Sequence, residues 1–263
     1  MFSQKSLHIY AEIILLIFVF VPEQFFGQVN TEKLRNYEAQ KGIQNTAGLG
    51  FGFLAGNSDQ YRVAANYRLD WLTTNYYSFL ILNYERGKNG GDLFSDKGFL
   101  HARITRDLSA SWIAEAFFQK EFNKLILLKD RRVLGAGLRY EVRNIDTSLG
   151  RPQKLFLGVG SGLMHEREVT TEPSGTKTLV RSTNYLSFTW KPDTRLSFSS
   201  TAYFQMALQR SSDYRLINES SLSFSFTESL NFLTALSLRF DHEPPPDIKK
   251  YDLSITNGIT VQF

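Results

Sequence analysis

The sequence predicts an all-β fold: a transmembrane antiparallel up-and-down β-barrel of about 12 strands, with short periplasmic turns and longer extracellular loops. Three observations predict it. Apolar residues recur with period two along most of the chain, the spacing of a half-buried strand. The chain holds 22 Phe and 12 Tyr, yet its mean hydropathy is only −0.24. A barrel wall gives that combination, because lipid-facing apolar residues alternate with lumen-facing polar ones. Finally, one long apolar run stands at the front of the chain, and no other segment approaches the length of a spanning helix.

That first run, IILLIFVFV from Ile13 to Val21, sits behind Lys5 and is broken by Pro22. It is about half the roughly 20 residues that a membrane-spanning helix needs. Residues 1–27 therefore read as a secretory signal peptide, with Gly27 as the small residue before the cut. Phe25 departs from the small-residue pattern at the minus-three position. Residues 28–44 (QVNTEKLRNYEAQKGIQ) are polar and read as a periplasmic lead-in, and residues 45–263 as the barrel. Export through a signal peptide, followed by strands, places the protein in a bacterial outer membrane.

The strands follow in order. Ala47, Leu49, Phe51 and Phe53 alternate with Gly48, Gly50 and Gly52. Tyr61, Val63, Ala65, Tyr67, Leu69 and Trp71 alternate with Arg62, Ala64, Asn66, Arg68 and Asp70, the cleanest run in the chain. That run matches the 9–11 residues of a tilted spanning strand. Further strands are expected over residues 76–86, 99–106, 112–122, 132–142 and 154–165. The last five are expected over residues 181–190, 195–208, 215–226, 230–240 and 251–263. Connections 72–75, 107–110, 191–194 and 227–229 are short, whereas 87–97, 166–178 and 241–250 are long and polar, as at the two rims of an outer-membrane barrel. Segments 143–153 and 55–60 break that alternation of lengths.

On this map Trp71, Trp112 and Trp190 all fall at periplasmic strand ends, where an interfacial aromatic girdle belongs. The terminal Phe263 shares the outward face of Tyr251, Leu253, Ile255, Ile259 and Val261. A last strand ending in Phe resembles the C-terminal signal read by the outer-membrane barrel assembly machinery.

Several segments carry a family resemblance. They are QVNTEKLR (28–35), the Gly-rich first strand with Gly56-Asn57-Ser58 at its tip, AEAFFQKEFNKLILLKDRRVLGAGLRYEV (114–142) and RSTNYLSF (181–188). In this order they resemble DUF481, an uncharacterised outer-membrane barrel family also called salt-induced outer-membrane proteins. The resemblance implies an outer-membrane barrel with no established activity, and it transfers no catalytic residue.

Chemistry is sparse. With no Cys, disulfides, thiolate metal sites and a Cys nucleophile are excluded. The net charge of +4 is scattered, with no basic cluster for nucleic acid. No phosphate loop, dinucleotide fingerprint or zinc spacing occurs, so no cofactor, no metal and no catalytic residue is expected, and the protein does not read as an enzyme. His101, His165 and His242 read as ordinary lumen or loop residues, and Ser161 with His165 lacks an orienting third group. The candidate lumen-lining residues are Arg62, Arg68, Arg103, Arg139, Arg181, Arg239, Glu115 and Glu141, joined on the inward face by Arg215, Asp70, Glu121 and Glu219. Such a wall supports two readings: a narrow, anion-favouring pore for ions or small solutes, or a charge-paired network that fills a closed structural barrel. Pro244-Pro245-Pro246 stiffens the last outer loop. Outer-membrane lipids and the assembly machinery are the expected partners, with small solutes if a pore is open and no nucleic acid.

Overall fold

The computed structural model describes residues 40–57, 59–146, 153–171, 175–227 and 229–261. The signal peptide, most of the lead-in and Phe263 lie outside the described residues. Twelve strands run in order: β1 (Gly42–Leu54), β2 (Gln60–Leu72), β3 (Tyr76–Asn89), β4 (Asp92–Asp107), β5 (Trp112–Asn123), β6 (Leu128–Asp146), β7 (Gln153–Thr170), β8 (Thr176–Lys191), β9 (Leu196–Ala207), β10 (Arg210–Ser225), β11 (Leu230–Asp241) and β12 (Tyr251–Val261). Each pairs antiparallel with its neighbours in sequence, giving one up-and-down meander from β1 to β12. Among the described residues β1 and β12 are the two ends of this ladder. β1 begins at Gly42, inside the segment expected as lead-in.

The sheet curls around an interior. Arg103 of β4 lies 3.5 Å from the Tyr203 hydroxyl of β9. In a flat sheet, strands spaced about 4.8 Å apart would hold those two roughly 24 Å from each other. Tyr185 of β8 likewise reaches Glu115 of β5 at 2.9 Å, and Arg215 of β10 reaches Glu166 of β7 at 3.0 Å. Period two sorts the side chains: Leu49, Leu82, Ile104, Leu134, Leu163 and Leu186 stand exposed outside, and Arg103, Glu115, Arg139, Glu141, Glu166 and Arg181 turn inward. Polar groups on the outer face bond one another, as Ser161 does Asn184 at 2.8 Å and Thr234 does Asn257 at 2.8 Å.

One rim is made of tight turns whose side chains cap their own backbone. Tyr76 N–H donates to the Thr73 hydroxyl at 3.1 Å, Trp112 N–H to the Ser109 hydroxyl at 3.1 Å, and Leu196 N–H to the Asp193 carboxylate at 2.9 Å. The opposite, distal rim corrects the sequence map. The expected loop 87–97 is strand almost throughout: β3 continues to Asn89 and β4 starts at Asp92. The two strands are joined by Gly90 and Gly91 at φ 55° and 94°, conformations a side chain would resist. The expected loop 166–178 is also mostly strand, since β7 runs to Thr170 and β8 starts at Thr176. The last of the three long loops keeps an irregular connection, residues 242–250. The physical reason is that the outward faces of these extensions carry Arg86 and Lys88 on β3 and His165 and Arg167 on β7. The apolar contrast that marks a strand therefore fades while the backbone pairing continues. Register shifts at Gly87/Lys88, Glu121/Asn123, Leu128/Asp130 and Arg210/Tyr214 all sit toward this rim, where bulges commonly bend a barrel wall.

Candidate functional site

The interior is the candidate site, and at mid-depth it is bridged by side chains. Arg103 and Glu115 pair across β4 and β5 at 3.3 Å, both nearly inaccessible. Glu115 also accepts the Tyr185 hydroxyl, and the Tyr185 and Tyr203 rings meet at 5.0 Å. Ile217 packs with these two rings. The Arg103 guanidinium lies 5.5 Å from the Phe117 ring, and that of Arg139 lies 5.6 Å from Tyr185. Each such cation–ring contact contributes about 1–2 kcal/mol when desolvated. Between these groups a cavity of about 30 Å³ remains, room for about two waters and no solute.

Glycines on β6 and β7 make room for this layer. A Cβ at Gly160 would collide with the Tyr185 ring, one at Gly135 with Phe117, and one at Gly158 with the Arg139 guanidinium. The inward glycines are hollows into which neighbouring strands lay their large side chains.

Toward the distal rim the charges converge on Glu166. Its carboxylate accepts Arg131 (2.5 Å), Arg181 (3.0 Å) and Arg215 (3.0 Å), from β6, β8 and β10. These arginines in turn hold Glu121 (2.8 Å), Asp213 (2.8 Å), Glu168 (2.9 Å) and Asp241 (2.8 Å). Every guanidinium of this network is at least nine-tenths buried; carboxylate oxygens supply most of its hydrogen bonds, the Asp213 carbonyl accepts one from Arg181 at 3.1 Å, and Arg181 Nη2 is buried without an acceptor. Low-dielectric burial makes such a network costly unless it is complete. Nearer the short-turn rim, Arg68 grips Asp70 at 2.6 Å and Tyr77 donates to the same carboxylate at 2.6 Å. Arg139 pairs with Glu141 at 2.7 Å.

All eight residues proposed from sequence to line the lumen turn inward. Arg103 and Glu115 pair with each other, as do Arg139 and Glu141. Arg62 pairs with Glu85 (2.8 Å), Arg181 with Glu166 and Asp213, and Arg239 with Glu219 (3.1 Å). Sequence reasoning missed Glu166, Glu168, Asp213 and Arg131, which form the centre of the largest cluster. The signal was present: Met164, Glu166, Glu168 and Thr170 keep the inward spacing beyond His165. With His165 and Arg167 between them, and Val169 the one apolar residue, that spacing read as loop.

The remaining candidates divide. His101 is fully buried, its ring 5.6 Å from Phe79 and 6.0 Å from both Phe99 and Phe117, so it packs as an aromatic ring. His242 stacks on Tyr214 at 4.8 Å. Ser161 and His165 face outward. No group of three metal-ligating side chains occurs among the described residues. Trp71, Trp112 and Trp190 stand exposed on the outer face of the short-turn rim.

Another sector of the interior is lined differently. The inward residues of β12 are Asp252, Ser254, Thr256, Gly258 and Thr260, and those of β1 include Gln44, Thr46 and three glycines. None of the described residues on these two strands is buried.

Three comparisons bear on this arrangement. The family model described as "Protein of unknown function, DUF481" matches residues 47–263. No curated protein matches. Among solved structures, one titled "NanC porin structure in rhombohedral crystal form" aligns at a TM-score of 0.43 and 10% identity, over 82% of this chain and 100% of that one. A likeness at that level carries no functional argument.

Proposed function

The chain belongs to the DUF481 family of unknown function, and from that premise we propose that it is an outer-membrane barrel whose interior is closed by its own ion pairs, a structural element of the envelope rather than an anion pore. One observation carries the reading. The inward arginines Arg103, Arg131, Arg139, Arg181 and Arg215 are buried and paired with carboxylates, with the Glu166 network at their centre. An arginine selects anions only when it offers a hydrogen-bonding edge to a solute, and these guanidiniums are buried against protein. The exposed apolar outer face and the tryptophans at one rim support a bilayer location, with that rim periplasmic. Membrane lipids and the assembly machinery, which would read Phe263, are its partners, and the reading includes no catalytic role.

Planar-bilayer recording of the refolded protein tests it. A silent bilayer with protein whose gel migration is heat-modifiable is the expected result. Discrete steps whose reversal potential follows the anion gradient would overturn it. A second reading rests on the sector around β12 and β1. Its small, accessible inward residues favour a path for water or small uncharged polar solutes along that side. Swelling of protein-containing liposomes in such solutes, without ion conductance, would select this reading.

A further inference from the structure

Residues 242–250 leave β11 and fold over the distal mouth toward the far wall. The fold-over is anchored. Glu243 pairs with Arg210 at 2.9 Å and accepts the Ser212 hydroxyl at 3.1 Å. His242 stacks on Tyr214, and Ile248 N–H donates to the Pro245 carbonyl at 3.1 Å. The far wall is the short 3₁₀ turn Lys124–Ile126 and the start of β6. Between the two lies a cleft of about 70 Å³.

The cleft has two chemically distinct parts. Its walls are apolar: Ile126 and Leu128 on one side, Pro244, Pro245 and Ile248 on the other. Its charged floor holds Glu168, Asp241 and Asp252 beside Arg215 and Arg239, and both arginines are engaged by protein carboxylates. Arg215 is bonded to Glu168 and Asp241, and Arg239 to Glu219. The rim carries Lys249 and Lys250, both exposed and outside every ion pair described above. Binding pockets that swallow a drug-sized ligand measure about 300–1,000 Å³, so this cleft takes only the end of a chain.

We propose that the cleft beneath the proline loop binds a short alkyl chain bearing an anionic head, the chain between Ile126 and Ile248 and the carboxylate or phosphate on Lys249 and Lys250. Apolar walls supply the burial, about 0.8 kcal/mol per methylene by general transfer values. The two lysines favour an anion over an alcohol or amine of equal length. The head can belong to a free short-chain acid or to an anionic lipid, and both present the same chemistry. The proposal is independent of whether the barrel conducts.

The test is a titration of the refolded full barrel, in zwitterionic bilayers, with octanoate. Methyl signals of Ile126 and Ile248 should shift saturably. In the double variant Lys249→Gln/Lys250→Gln the half-saturating octanoate concentration should rise at least fivefold, while octanol binding stays unchanged. Both lysines are exposed, so this variant keeps its heat-modifiable gel migration. If octanoate's half-saturation rises when phosphatidylglycerol is added to the bilayer, the anionic lipid is a natural occupant; if it does not, the free acid is. No saturable shift, or equal octanoate affinity in the lysine variant, would overturn the proposal.

Discussion

Two sectors of one interior are built on opposite principles. Around Arg103, Arg139 and Glu166 the inward side chains are large, charged or aromatic, and buried. Along β12 and β1, the two ends of the ladder, they are mostly Gly, Ser, Thr and Gln, with Asp252, and open to solvent. The difference teaches that charge inside a barrel is not a sign of permeability. A guanidinium that meets carboxylates from neighbouring strands is packed against protein rather than offered to a solute. Small neutral hydroxyls leave room because they cannot reach across the lumen.

The contrast breaks first at Glu166. Glu166→Gln removes the carboxylate acceptor that three buried guanidiniums share, although Glu121, Asp213, Glu168 and Asp241 still balance their charge, and the buried donors left without it should cost about 3–5 kcal/mol in urea unfolding of the refolded protein. A change under about 1 kcal/mol would show that water already solvates the network. Next comes Arg139→Ala, which should lose about 3 kcal/mol by removing the guanidinium that pairs with buried Glu141 and packs on Tyr185. It should leave ion permeation unchanged, and altered selectivity would restore the anion-pore reading. Smaller still is the glycine pair. Gly160→Ala drives a methyl into the Tyr185 ring and should cost about 1–3 kcal/mol. Gly258→Ala on β12, where a Cβ meets nothing within 4 Å, should lie within about 0.5 kcal/mol of the parent. Thr256→Trp should have the least effect on stability yet abolish any liposome swelling by small polar solutes. Swelling that persists would move the path away from this sector.

Much of the fold was legible because one signal, period two, is shared by sequence and sheet. β2 was expected over 61–71 and forms Gln60–Leu72, and β5 was expected over 112–122 and forms Trp112–Asn123. Legibility failed where the outward face stops being apolar. β4 was expected from residue 99 and begins at Asp92, and β8 was expected from residue 181 and begins at Thr176. The site was legible as a list of inward charges and illegible as a set of pairs. Glu166 meets Arg131, Arg181 and Arg215 from three different strands, and alternation along one strand carries no information about the curl that joins them. The packing role of His101 was hidden likewise, since Phe79 and Phe117 come from its two neighbouring strands.

The hollow at Gly160 links two positions as a lock links to its key. Residue 160 can gain a side chain only if residue 185 loses its ring, and Tyr185 contributes its bond to Glu115 only while position 160 stays bare. A lineage altering one first must pass through a less stable barrel. Wherever the ring at 185 has shrunk, position 160 is therefore released to vary, and the two should drift as one heritable unit.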